Sequence, residues 1–335
     1  FEAAGSISGG ELRGDLVARA SGDPLYRDAG DGGLERWIEP LARELRAAGI
    51  ERVTGALVLD EGTFLDPGPG PAWPNEREYW KEYCALAGGF SANGGCITAT
   101  LHPGAVDAQA TVRVRPRVHG LERKGTVKTG PRRSSLSVAV EARRHGLTVR
   151  GKIPADVPTY VARFAAPDPV ELFGHAVVGE LARHGVVIAG GFRRERGAAG
   201  GDVVARVRSA VDDTLVPILR DSNNSVADQL FLGTAHLIGL SGTRAGGFDA
   251  TRRALDRLGV PSAGLAQVDG SGLSRDNRVS AEQVTALLAA MRREAGASAE
   301  LFLEALPVAG KTGSLSGRMR AGPAAGRVRA KTGFI

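Results

Sequence analysis

A helix followed by a buried strand occurs twice in this chain, with a stretch of different texture between the copies. Leu34, Ile38, Leu41 and Leu45 keep helical spacing across 34–50, Gly49 stands where a C-terminal cap belongs, and 53–60 reads as a buried strand. The layout returns at 173–184, with Gly185 as the stop and 186–188 as the strand. Glu44, Leu45, Gly49 and Gly55 fall on Glu180, Leu181, Gly185 and Gly191. The spacing predicts two helix–strand units of one layered α/β subdomain. A turn-rich boundary at 66–74 and short alternating strands at 97–102, 110–118, 136–142 and 147–152 predict a small β-rich insert between them.

After Arg206 the periodicity is helical, at 209–219, 226–238, 247–258 and 280–294, the last opened by Ser280 as N-cap. Residues 326–331 read as the entry into a strand. At 335 residues the chain suits two domains of about 150 residues with an insertion. No apolar run approaches the roughly 18 residues of a membrane helix.

Lys+Arg outnumber Asp+Glu by 43 to 37, which raises a nucleic-acid reading. The arginines are dispersed among acids, and aromatics are only 5% of residues, poor material for base stacking, so no nucleic-acid partner is expected. A basic surface also suits an anionic polymer such as a cell wall. Cys84 and Cys96 allow one bridge or two buried thiols. No H-E-x-x-H or C-x-x-C occurs, so neither a metal nor a cofactor is expected.

Gly310-Lys311-Thr312 ends a relaxed phosphate-loop string, but a predicted helix precedes it and no helix start follows. G-x-S-x-G is absent. There remain the serine–lysine hydrolases, which need S-x-x-K, S-x-N and K-T-G. In these a serine attacks a carbonyl, a neutral lysine takes its proton, S-x-N holds the substrate amide, and the K-T-G cation attracts the substrate carboxylate. K-T-G occurs at Lys128, Lys311 and Lys331, and S-x-N at Ser91-Ala-Asn93 and Ser222-Asn-Asn224. Ser222 falls on a tight connection between helices, whereas Ser91 sits in a glycine-rich loop that reads as an exposed turn.

Asp221-Ser-Asn-Asn-Ser-Val-Ala-Asp-Gln-Leu230, Val268-Asp-Gly-Ser-Gly-Leu-Ser-Arg-Asp-Asn277, Leu306-Pro-Val-Ala-Gly310 and Arg327-Val-Arg-Ala-Lys-Thr-Gly333 follow one another in order. In these blocks the chain resembles the class C low-molecular-mass penicillin-binding proteins, D-alanyl-D-alanine carboxypeptidases and endopeptidases. The resemblance implies an α/β multi-domain protein. Its serine–lysine, β-lactamase-like core is interrupted by an inserted α/β domain that itself carries a small β-rich domain. The boundaries expected are 1–22 and 206–335 for the catalytic domain, 23–70 and 150–205 for the inserted domain, and 71–149 for the nested one. The resemblance assigns Ser222, Asn224, Lys331, Thr332 and Gly333 to catalysis, and the Phe334 backbone N–H to the oxyanion hole. Leu273 and Arg275 match positions lining the substrate side-chain pocket, and Glu76 and Tyr79 fall in a segment that binds the free end of the peptide side chain. Peptidoglycan stem peptides are the implied partners, β-lactams the implied inhibitors, and an exported protein, periplasmic or wall-associated, the implied location.

The chain departs from the pattern in one respect. The residues three before its six lysines are Glu78, Leu121, Gly125, Val149, Val308 and Val328, so no S-x-x-K is present. The core is therefore expected to be incomplete at both ends, the nucleophile to lie upstream of Phe1, and the chain alone to be inactive. A non-catalytic wall-binding homologue is the alternative.

Overall fold

The structure, a computed structural model, describes residues 1–20, 22–23, 33–65, 68–118, 122–143, 146–294 and 296–333. The chain forms two units. One takes Phe1–Ala20, Tyr26–Gly62 and Asn75–Val207; the other takes Ser21–Leu25, Thr63–Pro74 and Arg208–Ile335.

In the first unit, β1 (Glu2–Ser8) and β2 (Glu11–Arg19) make an antiparallel hairpin. Helix α1 (Gly33–Ala47) leads to β3 (Arg52–Val53) and β4 (Leu57–Asp60), both parallel to β2. The chain then builds the β-rich part: β5 (Cys96–His102), β6 (Thr111–Arg115), β7 (Glu122–Lys124), β8 (Val127–Gly130), β9 (Ser137–Arg143), β10 (Gly146–Pro154) and β11 (Tyr160–Ala165). Strand β10 pairs with β7, β8 and β9, and β5 lies between β6 and β11. Ile97, Leu101, Val127, Leu147, Val149, Ile153 and Phe164 from both sheets share one core, to which Leu172 of the helix that follows adds its side chain.

The chain returns through α2 (Pro169–Arg183) to β12 (Val187–Ile188), β13 (Phe192–Glu195) and β14 (Asp202–Val203). Asp168 caps α2, accepting from the Val170 and Glu171 N–H groups, and Pro169 occupies the first turn, where its missing donor costs nothing. Strands β12 and β13 lie parallel to β3 and β4, so the two helix–strand copies pair with each other in one sheet. Gly49 (φ +81°) and Gly185 (φ +82°) end the two helices in left-handed backbone that a side chain would strain. Ile38, Leu41 and Leu45 of α1 and Phe173, Val177 and Leu181 of α2 pack onto Leu12, Leu16 and Leu57 of the sheet. Each such side chain contributes about 1.5–3 kcal/mol by leaving water.

Three expectations change here. Residues 1–22 were assigned to the catalytic domain, but β1 and β2 join the α/β sheet, because Leu12, Leu16 and Ala18 turn inward onto its helices. A boundary at 149 would cut through β10, whose inward side chains belong to the β-rich core up to Ile153. Ser91 and Asn93 are buried rather than exposed; the Asn93 amide donates to Cys96 O (2.7 Å) and Thr98 Oγ1 (3.1 Å), which satisfies it inside. Cys84 and Cys96 are both buried, and burial pushes the Cys84 thiol up to about 11.

The second unit is helical: α3 (Asn224–Leu237), α4 (Arg244–Arg257), α5 (Ala281–Arg293) and α6 (Ala297–Ala305). Ser280 caps α5 through a full capping box with Gln283. The helix expected at 209–219 is instead a 3₁₀ turn, Val211–Thr214, and a wide turn, Val216–Arg220. Pro217 has no N–H to donate and crowds the preceding turn, so a regular helix does not run through it. At 326–331 the expected strand reduces to a single bridge, Val308 with Arg329. No helix of the described residues is long and apolar enough to cross a membrane.

Candidate functional site

The site is built where the Val216–Arg220 turn hands over to α3. Asn223 N–H donates to Pro217 O (2.9 Å), and Asn223 Oδ1 caps α3 by accepting from Val226 N–H (3.1 Å). Closing the corner forces Ser222 to φ +60°, left-handed backbone that costs a serine about 1 kcal/mol or more. Asn224 is the first residue of α3, so Ser222 and Asn224 flank a capped helix start.

A second segment reaches the same place. Ala309 N–H donates to Val328 O (2.9 Å), Ala330 N–H to Pro307 O (3.1 Å) and Gly326 N–H to Ala309 O (2.8 Å). Lys331, carried beyond these bonds, donates from Nζ to Ser222 Oγ (2.5 Å) and to Thr332 O (2.8 Å). Thr332 Oγ1 bonds Ser314 Oγ (2.7 Å). Partial burial of the ammonium lowers the Lys331 pKa from the usual lysine value, although the side chain as a whole stays exposed. An amine with a lowered pKa against a hydroxyl can pass a proton, and its charged form can hold an anion.

The other K-T-G strings are used differently. Thr129 is buried on β8 and accepts from Gly104 N–H (2.8 Å). Thr312 Oγ1 accepts from Val308 N–H (3.0 Å). A Cβ on Gly313 would stand 2.5 Å from Arg220 O, so this turn packs directly against the residue two before Ser222. The Lys311 string thus braces the corner and ends in Ser314, which sequence reasoning did not single out.

Leu273 and Arg275 sit in a loop that hangs on carboxylates. Asp269 accepts from Gly272 N–H, Ser274 N–H, Asn277 Nδ2 and Trp73 Nε1, each at 2.7–2.8 Å. Ser274 Oγ donates to Pro71 O (2.6 Å) and Arg275 N–H to Ala72 O (3.1 Å). Leu273 is half-buried, and the exposed Arg275 guanidinium makes no bond among the described residues. Trp73, expected in the insert, therefore belongs to the helical unit. Asp228, Asp269 and Trp73 are not among the expected site residues: Asp228 and Asp269 fall inside the blocks that carry the resemblance, but nothing in the strings gives them a role.

Glu76 and Tyr79 lie in the other unit, in and just after a 3₁₀ turn capped by Asn75. The acid engaged there is Glu78, which accepts from Lys81 Nζ (3.0 Å) and from the Tyr83 hydroxyl. Phe334 lies outside the described residues.

The fold has counterparts among known proteins. The crystal structure of penicillin binding protein 4 (dacB) from Haemophilus influenzae superposes with a TM-score of 0.76 at 23% identity, covering 100% of this chain and 73% of that one. The same protein complexed with a novel beta-lactam gives a TM-score of 0.68 at 22% identity. A D-alanyl-D-alanine carboxypeptidase of Actinomadura sp. strain R39 is 31% identical over 97% of this chain and 62% of its own length. The D-alanyl-D-alanine carboxypeptidase DacB of Haemophilus influenzae is 26% identical over 99% of this chain and 68% of its own. This chain thus spans less than two thirds of the length of the Actinomadura relative. The family model that matches does so over residues 1–335, insert and helical unit alike, and the chain belongs to the D-Ala-D-Ala carboxypeptidase 3 (S13) family.

Proposed function

We propose that this chain supplies the S-x-N and K-T-G elements and the side-chain pocket of a serine-type D-Ala-D-Ala carboxypeptidase or endopeptidase. The substrates are peptidoglycan stem peptides, the intermediate is an acyl-serine, β-lactams are inhibitors, and the protein is exported, periplasmic or wall-associated. The observation that carries the reading is the Lys331 Nζ–Ser222 Oγ bond at 2.5 Å, made across 109 residues by the two strings this chemistry needs. In this reading the Lys331 ammonium draws the substrate's terminal carboxylate, and Ser222 and Asn224 hold the amide and relay the proton. Leu273 and Arg275 offer an apolar wall and a cation to the peptide side chain. Acylation also requires an S-x-x-K serine, which these 335 residues lack, so the chain alone forms no acyl adduct. That lack is also what favours the second reading, a wall-binding protein without turnover.

A labelled penicillin tests this on the 335-residue chain and on the same chain joined behind a segment bearing S-x-x-K. The expected result is no covalent adduct on the first and a stoichiometric adduct on the second, slowed strongly by Lys331→Met. A stoichiometric adduct on the 335-residue chain overturns the missing-nucleophile argument. No adduct on the joined chain overturns the hydrolase reading in favour of a binder.

A further inference from the structure

The helix that starts at the Ser222–Asn224 corner holds a buried carboxylate one turn further on. Asp228 is 1% exposed. Its Oδ1 accepts from Gly270 N–H (2.7 Å) and Ser271 N–H (3.0 Å), the residues that lead into Leu273 and Arg275. Its Oδ2 is buried without a hydrogen bond among the described residues and faces Arg244 Nη1 at 3.8 Å. Arg244, from α4, also donates to Val268 O (3.3 Å) and Gly68 O (2.7 Å), in the segments that lead into the loop and into Trp73.

A buried carboxylate with one oxygen unbonded is a costly device for joining a loop to a helix. What it provides here is a short rigid link. Asn224 and Asp228 are four residues apart on one helix face, so a loop bonded to Asp228 is held at a fixed distance from the corner. A Cβ on Gly270 would lie 2.4 Å from Ala227 O, so the loop backbone is already in contact with that helix.

We propose that Asp228 is a positioning residue that registers the Leu273–Arg275 pocket against the Ser222–Asn224 corner. The inference rests on the reading of Leu273 and Arg275 as the side-chain pocket. The charged groups facing Asp228 are Arg244 from α4 and Asp269 from the loop. Burial raises its pKa to about 6, the Asp269 charge adds to the rise, and Arg244 and the two N–H bonds oppose it. At neutral pH it is therefore a carboxylate, the stronger acceptor.

Two measurements on the full chain test this. Amide exchange at Gly270 and Ser271 reads the link directly. Equilibrium binding of two peptides ending in D-Ala-D-Ala, one with and one without a long side chain on the preceding residue, reads its consequence. Asp228→Ala is expected to speed exchange at both amides. It should weaken the side-chain peptide about tenfold while changing the other by less than about twofold. Asp228→Asn keeps an oxygen acceptor and should stay within about threefold of wild type on both readouts. If Asp228→Ala does not fold, Asp228→Ser, too short to reach both amides, replaces it. Unchanged exchange, or equal weakening of the two peptides, overturns the proposal. If the wild-type chain binds neither peptide, the functional reading fails, and the exchange result alone decides whether Asp228 holds the loop.

Discussion

Gly270→Ala separates packing from backbone strain in the loop that carries Leu273. Gly270 does not occupy left-handed backbone, so alanine fits its dihedral angles. The obstacle is space. A Cβ there would stand 2.4 Å from Ala227 O, 2.7 Å from Phe231 Cβ and 2.9 Å from Ala227 C. Two of those atoms are backbone of α3, and neither rotates away, so loop and helix must part by several tenths of an ångström. Overpacking of this kind costs about 1–3 kcal/mol. The stiffer unfolded chain returns about 0.4–1 kcal/mol, leaving a net loss of at most about 2.6 kcal/mol and about 1.3 kcal/mol at the middle of both ranges. With a urea m-value of about 2 kcal/mol per molar, that middle value lowers the midpoint by about 0.65 M. The assay is urea unfolding followed by Trp73 fluorescence, with Trp37 and Trp80 replaced by phenylalanine because both report on the other unit. Gly272→Ala is the control: its φ of +79° strains alanine, but nothing lies within 4 Å of the new Cβ, so its cost of about 1 kcal/mol is conformational alone. The two variants also differ in kind. Shrinking Phe231 to alanine leaves the Gly270→Ala clash in place, since Phe231 Cβ and Ala227 O remain. A Gly270→Ala midpoint equal to or above wild type refutes the reasoning, because the loop would then not rest on α3.

Leu57→Ala removes a fully buried side chain from the first unit's sheet and should cost about 2–5 kcal/mol, read by Trp37 emission during unfolding. Ser280→Ala breaks the α5 capping box and should lower helical-unit stability by about 1 kcal/mol in the same urea assay. Asp228 sets a pH dependence of known sign. Its pKa rises from 3.8 unfolded to about 6 folded, so the folded form holds the extra proton. Its contribution is therefore most favourable below about pH 3.8 and declines by about 3 kcal/mol as pH rises past 6. Stability of the helical unit, wild type minus Asp228→Asn, should fall across that window; a flat difference would show that the carboxyl is not shifted.

The parts of the fold legible in the sequence are those with local causes. The paired helix–strand copies show in their apolar spacing and stop glycines, and α5 shows in Ser280 and Gln283. Less legible is anything decided by distant burial. Whether a glycine-rich loop such as 88–95 is surface or interior depends on Phe90 reaching the sheet core, which no local pattern states. The break at 209–219 was readable from Pro217, but the apolar spacing outweighed it. At the site, S-x-N and K-T-G are visible as strings, but only the resemblance of the surrounding blocks distinguishes Lys331 from Lys128 and Lys311. Asp228, Asp269 and Trp73 acquire meaning only where the loop folds back on α3, and a single aspartate inside a helix carries no signal of that.

The allocation of chain to the two units has a consequence for handling the molecule. Between Phe1 and Ile335 the polypeptide passes from one unit to the other five times. Neither unit is a contiguous stretch of the gene, so neither can be produced by trimming from one end. A protease that nicks one of the three middle crossovers, near 25, 62 or 74, leaves both units with segments on each side of the cut. Such a nicked protein should migrate as two fragments on a denaturing gel and yet elute as one particle, laced together by its own threading.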